Sequence, residues 1–229
     1  MCLCGCRFHS EKIVKAAAFL FYLLERQNRN IARRLRTWYN KRKVFSRKEV
    51  KNMTEEKLLN QALACGFDQA CVIDTGHLIF DSRFRQFCEM NYCGNYDNNY
   101  SCPPSCGEPE ALKEKALRFS KALVLQTVTP VKDIMDDEET KVIKHRHNEM
   151  TWKLIHGVEG EIPEYLPAMA GPCQLCSPCA KKEGNPCKFP QKRASCLSAF
   201  CIQVDTLAKE CGMEYYCEGK VAFFSVLFF

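Results

Sequence analysis

The chain has 229 residues, a net charge of +6 and 17 cysteines. That length admits one large or two small domains with a sizeable core, and the composition is ordinary for a globular protein apart from cysteine. The cysteine count is odd and too low for a small disulfide scaffold, which favours metal ligands in a reducing cytosol over bridges in an oxidising compartment.

Charge divides the chain. Residues 1–52 carry +11 and residues 53–229 carry −5, so a basic extension precedes a mildly acidic, cysteine-rich domain. The apolar run at 16–24 is bracketed by Lys15 and Glu25 and falls short of the roughly 20 residues that a transmembrane helix needs. No small-residue cleavage site follows it, so no transmembrane segment and no signal peptide is expected, and a cytoplasmic location follows. The basic extension suits weak contact with a polyanion or an anionic membrane surface, or it is a solvated extension preceding a working domain that opens at Met53. Cys2, Cys4 and Cys6 stand at one-residue gaps without the turn that would converge them on one ion.

From Thr54 a domain begins. Thr54 is an N-cap, Glu55 and Glu56 fill a first turn, Leu58, Leu59, Ala62 and Leu63 make one helical face, and Gly66 closes the end. A strand is expected at 70–73, turned by Asp74, Thr75 and Gly76 into a second one near Leu78, Ile79 and Phe80. The next stretch holds Cys88, Cys93, Cys102 and Cys106 among Gly, Asn, Asp and the pair Pro103 and Pro104, so it reads as an irregular loop stiffened before metal binds. Its spacing, Cys-x4-Cys-x8-Cys-x3-Cys, belongs to no one metal. The four thiols are candidate ligands of a second centre, or else buried or redox-active thiols.

Glu108, Pro109 and Glu110 start a helix with Leu112, Ala116, Leu117 and Phe119 on its apolar side. A buried strand follows at 122–128, then a longer helix over 136–155 with Ile143, Met150 and Leu154 inward. His145 and His147 lie on divergent faces of it, which argues against a shared ligand role. A strand at 165–170 then delivers Gly171 to the sequence GPCQLCSPCAKKEGNPCKFP.

In this cradle Cys173, Cys176 and Cys179 recur at two-residue gaps and Cys187 follows after seven residues. The Cys-x2-Cys-x2-Cys run is a ferredoxin-type opening, in which one tight loop presents three sulfurs to a [4Fe-4S] cluster. Lys181, Lys182, Lys188, Lys192 and Arg193 suit a site made negative by four thiolates. Zinc also accepts four thiolates at Cys-x2-Cys spacing and stands as the alternative metal. Beyond the cradle a helix is expected over 197–211, with Cys196, Cys201, Cys211 and Cys217 behaving as small core residues at least as readily as ligands. The uncharged close, VAFFSVLFF, reads as an inner strand.

With both cysteine segments in view, the chain resembles the family catalogued as domain of unknown function 2284, described as predicted metal-binding proteins. The resemblance covers about residues 54–229. It is carried by Arg85, Cys88, Cys93-Gly94-Asn95-Tyr96, Asn99, Cys102-Pro103-Pro104, His147-Asn148-Glu149, Gly171-Pro172-Cys173, Cys176, Cys179 and Pro186-Cys187-Lys188-Phe189-Pro190. It implies a cytoplasmic α/β domain with cysteine-bound metal, commonly supposed to be iron-sulfur. This chain departs from the family's Ser-Met-Glu-Ala run at Cys196-Leu197-Ser198-Ala199, and from the Gly-Ile-Asp that follows at Cys201-Ile202-Gln203.

The expectation is an α/β fold: a small mixed sheet with flanking helices and two cysteine-rich metal-binding loops. Cys173, Cys176, Cys179 and Cys187 would ligate a [4Fe-4S] cluster, with Cys88, Cys93, Cys102 and Cys106 forming a second centre or completing a shared one. Such a protein would move electrons, as a carrier or as part of a reductase, with a redox partner that the sequence does not identify. The competing expectation is a zinc-stabilised binding module with a basic arm for nucleic acid or membrane. A metal-free thiol enzyme, acting through Cys102 or Cys106, is a third.

Overall fold

The computed structural model describes residues 54–229. The basic extension, its apolar run, Cys2, Cys4, Cys6 and Met53 lie outside the described residues. Helix α1 (Glu55–Ala64) opens with the Thr54 side chain accepting from Lys57 N at 3.2 Å, and it buries Leu58 and Ala62. Gly66, at φ +103°, lets the chain leave the helix end in a conformation that a side chain resists. Strand β1 (Gln69–Asp74) follows, then a short helix α2 (Arg85–Glu89), helix α3 (Pro109–Ala116) and the long strand β2 (Lys121–Pro130). Helix α4 (Asp137–Val158) is capped by Asp136, which accepts from the amides of Glu138 and Glu139. Strands β3 (Leu166–Met169) and β4 (Ser195–Cys196) flank the cradle, and helix α5 (Val204–Glu210) precedes strand β5 (Lys220–Phe228).

The five strands form one mixed sheet in the order β1-β2-β5-β3-β4, antiparallel except for the parallel pair β3 and β4. β5 is central, so the closing apolar run is an inner strand as expected. Both faces of β2 are covered, and its alternation divides the core. Leu123 and Leu125 meet Leu58, Ala62, Leu154 and Ile155 of α1 and α4 on one face. Val124 meets Leu112 and Ala116 of α3, Leu207 and Ala208 of α5, and Phe200 on the other. Each fully buried leucine or phenylalanine of this kind contributes roughly 1.5–3 kcal/mol.

One polar device lies inside the α4 face. His147 is 1 % exposed; its Nδ1 lies 2.8 Å from Thr127 Oγ1 and its Nε2 lies 3.0 Å from Ser225 Oγ. Thr151 Oγ1 joins the same Ser225 at 2.9 Å. Burial holds the imidazole neutral, with its pKa lowered to about 3. His145 points the other way and is exposed, so the two histidines diverge as their spacing requires.

Two expected elements differ. No second strand of the sheet forms at 78–80: a 3-10 turn at Thr75–His77 diverts the chain, and the segment is held by Phe80 bridging Ile202 and by Asp81 N donating to Cys201 O at 2.8 Å. The helix expected over 197–211 begins only at Val204, because Cys201 adopts φ 57°, which breaks helical continuity.

The cradle is the connection between the parallel strands β3 and β4, and the first cysteine loop spans α2 to α3. Both loops therefore gather beside the β3-β4 edge of the sheet.

Candidate metal centre

The two cysteine loops are docked on one another by side-chain hydrogen bonds to backbone. Asn99, 4 % exposed, donates from Nδ2 to Cys173 O at 3.0 Å, while its Oδ1 accepts from Ser101 N and Ser101 Oγ, each at 3.0 Å. Ser101 Oγ in turn accepts from Cys173 N at 2.8 Å, so both polar groups of the Cys173 peptide are satisfied by the other loop. Further out, Tyr100 donates its hydroxyl to Asn185 O at 2.9 Å. Lys181 donates to Asp97 Oδ1 at 2.6 Å and to Ser105 Oγ. α4 steadies the start of the cradle: Asn148 accepts from Ala170 N at 3.1 Å and donates to Gln174 Oε1 at 3.1 Å.

These contacts leave two adjoining cavities walled by sulfur. An inner one of about 430 Å³ is lined by Cys88, Cys93, Cys102 and Cys196, with Tyr96, Met169 and Phe224 among its apolar walls. An outer one of about 670 Å³ is lined by Cys93, Cys173, Cys176 and Cys179, with Lys141, Lys144 and Lys182 supplying positive charge. Cys93, Tyr92, Lys144 and Pro172 belong to both walls. Among the described residues no three His, Cys, Asp or Glu side chains converge tightly on a single-ion position.

Six of the eight cysteines singled out in the sequence thus line the cavities. Cys187 does not, but it is among the thiols whose charge opposes ionisation of Cys173. Cys106 is in neither wall: Arg85 Nη1 stands 3.8 Å from its Sγ, the thiol faces Gly107 O at 3.6 Å, and it packs on the apolar core, although its amide donates to Cys102 O at 3.0 Å and its charge opposes the ionisation of Cys102 and Cys196. Cys196, read in the sequence as a core residue at least as readily as a ligand, packs against the core and also lines the inner cavity. No local pattern could have flagged it, because only the pairing of β4 with β3 brings it there. Lys144 was also missed, being one lysine among several on α4.

Burial holds Cys88, Cys102, Cys173 and Cys196 protonated. Burial raises Cys88 to about 11, with the charge of Cys196 adding to the effect and Arg85 opposing it. Burial also pushes Cys102 upward, again reinforced by Cys196. For Cys173 burial is opposed by the backbone N–H groups of Leu175 and Ala194, which point at its sulfur. A raised Cys102 works against the metal-free thiol enzyme, since the thiolate is the reactive form. An all-sulfur donor set selects soft centres, namely iron-sulfur, zinc or Cu(I), over magnesium or calcium.

The family profile described as a predicted metal-binding protein matches residues 71–229. The chain belongs to this family, domain of unknown function 2284. The match starts within β1 and takes in both cysteine loops, so the family's metal-binding character falls on the part of the chain that carries the two cavities. Helix α1 lies outside it. No curated protein and no solved structure matches the chain. No helix of the described residues is long and apolar enough to cross a membrane.

Proposed function

We propose that the chain is an iron-sulfur protein that exchanges electrons with a redox partner. An outer [4Fe-4S] cluster would be held by Cys173, Cys176, Cys179 and Cys187, and an inner centre by Cys88, Cys93 and Cys102, with Cys106 the sequence's candidate for the fourth position. The observation that carries this reading is the pair of adjoining cavities walled by cysteines of both loops and sharing Cys93.

The form of the walls favours a polynuclear group over one zinc. Tetrahedral zinc with Zn–S bonds of about 2.3 Å needs its sulfurs within about 3.8 Å of one another. Thiols spread over a cavity wall suit a cluster filling the space between them. When bound, such a cluster supplies one-electron transfer. The protein's own residues set the conditions for it. Lys141, Lys144 and Lys182 offset the charge of the thiolates, the amides of Leu175 and Ala194 point at the Cys173 sulfur, and the inner wall is mainly apolar. Amide hydrogen bonds and cations at the sulfurs raise the reduction potential, whereas burial lowers it by penalising net charge.

Full-length protein purified under strict anoxia tests the reading. Brown protein that bleaches with dithionite and contains iron and acid-labile sulfide is expected. Colourless protein with stoichiometric zinc overturns it in favour of the zinc-stabilised module.

A further inference from the structure

Resting on the iron-sulfur reading, we infer that Cys196, and not Cys106, is the fourth thiolate of the inner centre, completing a set with Cys88, Cys93 and Cys102. The assignment joins residues more than a hundred positions apart through the topology of the sheet. β4 pairs with β3 in parallel so that Cys196 stands opposite Met169, and residues opposite each other on neighbouring strands project from the same face. Met169 lines the inner cavity, and so does Cys196.

The environment of the Cys196 sulfur is that of a ligand. The Ala199 amide donates to its Sγ at 3.4 Å, a hydrogen bond of the kind that stabilises a metal-bound thiolate. Leu197 N donates to Met169 O at 3.1 Å and so fixes the chain just after the cysteine. Cys88, Cys93 and Cys102 line the same cavity as Cys196.

Cys106 is committed elsewhere. Arg85 donates from Nη2 to Gly107 O at 3.0 Å and to Ala199 O at 3.2 Å, which clamps the Cys106 turn to the segment that follows β4. Its Nη1 then faces the Cys106 sulfur from outside the cavity. In this arrangement Arg85 and Cys106 form a positively charged backing to the centre, and Arg85 is a positioning residue.

The test uses full-length protein assembled anaerobically, with Cys196→Ala and Cys106→Ala compared with wild type. The readouts are iron and acid-labile sulfide per chain and the paramagnetic resonance spectrum of the dithionite-reduced protein. Two clusters are expected in wild type. Cys196→Ala should lose about half of the iron and sulfide and retain the outer cluster's resonance, whereas Cys106→Ala should keep the wild-type stoichiometry with a shifted signal. Retention of the outer resonance serves as the check that Cys196→Ala is folded. A second measurement does not depend on any variant: iodoacetamide mapping by mass spectrometry should find Cys196 protected in loaded protein and labelled after chelation, with labelling of Cys106 changing little. Loss of iron from Cys106→Ala with none from Cys196→Ala overturns the assignment, as does loss from both. Wild-type protein with a single cluster overturns it while leaving the outer centre standing, and wild-type protein without iron overturns the iron-sulfur reading itself.

Discussion

Asn99→Ala is the substitution that asks most directly whether the two cysteine loops are one structure. The side chain is buried and makes three hydrogen bonds, and the change removes them all. Ser101 Oγ keeps its bond from Cys173 N, but Ser101 N and Cys173 O lose theirs inside the protein. An orphaned buried group costs about 1–3 kcal/mol, so two of them cost roughly 2–6 kcal/mol. With a urea slope of about 2 kcal/mol per molar, the unfolding midpoint should fall by about 1–3 M at an unchanged slope. The assay is urea unfolding of full-length protein under anoxia at matched metal loading, because bound metal shifts apparent stability. Asn98→Ala is the internal control, since the half-buried Asn98 side chain donates only to Gly94 O at 3.2 Å, in a solvent-exposed contact within its own loop. It should change stability by less than about 0.5 kcal/mol. Release of metal to a chelator should also be faster from Asn99→Ala, since the Cys173 peptide is no longer held. Equal midpoints for Asn99→Ala and wild type would refute the docking.

Three further outcomes follow from the same structure. His147 is neutral in the fold with a depressed pKa, so the unfolded chain takes up a proton first and stability falls as pH drops below the unfolded value near 6.5. About 2 kcal/mol should be lost by pH 5, and unfolding midpoints of His147→Gln should show a correspondingly weaker dependence over that range. Because Cys88, Cys102, Cys173 and Cys196 are all raised above the usual thiol range, metal uptake must release protons, so apparent affinity should climb from pH 6 to pH 8 in competition with a chelator. A flat profile would contradict buried thiols as the ligands. Deleting residues 1–52 should leave metal content unchanged and abolish any salt-dependent retention on heparin or anionic vesicles; retention by the truncated protein would remove the basic extension from that role.

Much of the fold was legible because its elements carry strong local patterns. β2 and β5 are apolar runs of strand length, α4 has an acidic cap and helical periodicity, and the cradle announces itself by spacing alone. The errors arose where tertiary contacts decide. Leu78, Ile79 and Phe80 have strand-forming side chains, yet the chain around them pairs with residues 201–203 and not with the sheet. The stretch 197–203 has helical spacing, yet Cys201 stops a helix by its backbone conformation. His147, which the sequence only set apart from a ligand role shared with His145, is hydrogen-bonded on both ring nitrogens, which needs partners from β2 and β5 that no local window contains. The site divides the same way. Three cradle cysteines were legible from their two-residue gaps, but Cys196 reaches the inner cavity wall through strand register, and the docking role of Asn99 and Ser101 depends on a loop more than seventy residues away.

X-ray absorption at the metal edge of the anaerobically purified full-length protein tests the central claim most directly. At the iron edge the spectrum should contain a sulfur shell and, beyond it, a shell of iron neighbours, the mark of a polynuclear centre held by thiolates. A zinc edge with a single shell of four sulfurs at about 2.3 Å, and no iron, would contradict it.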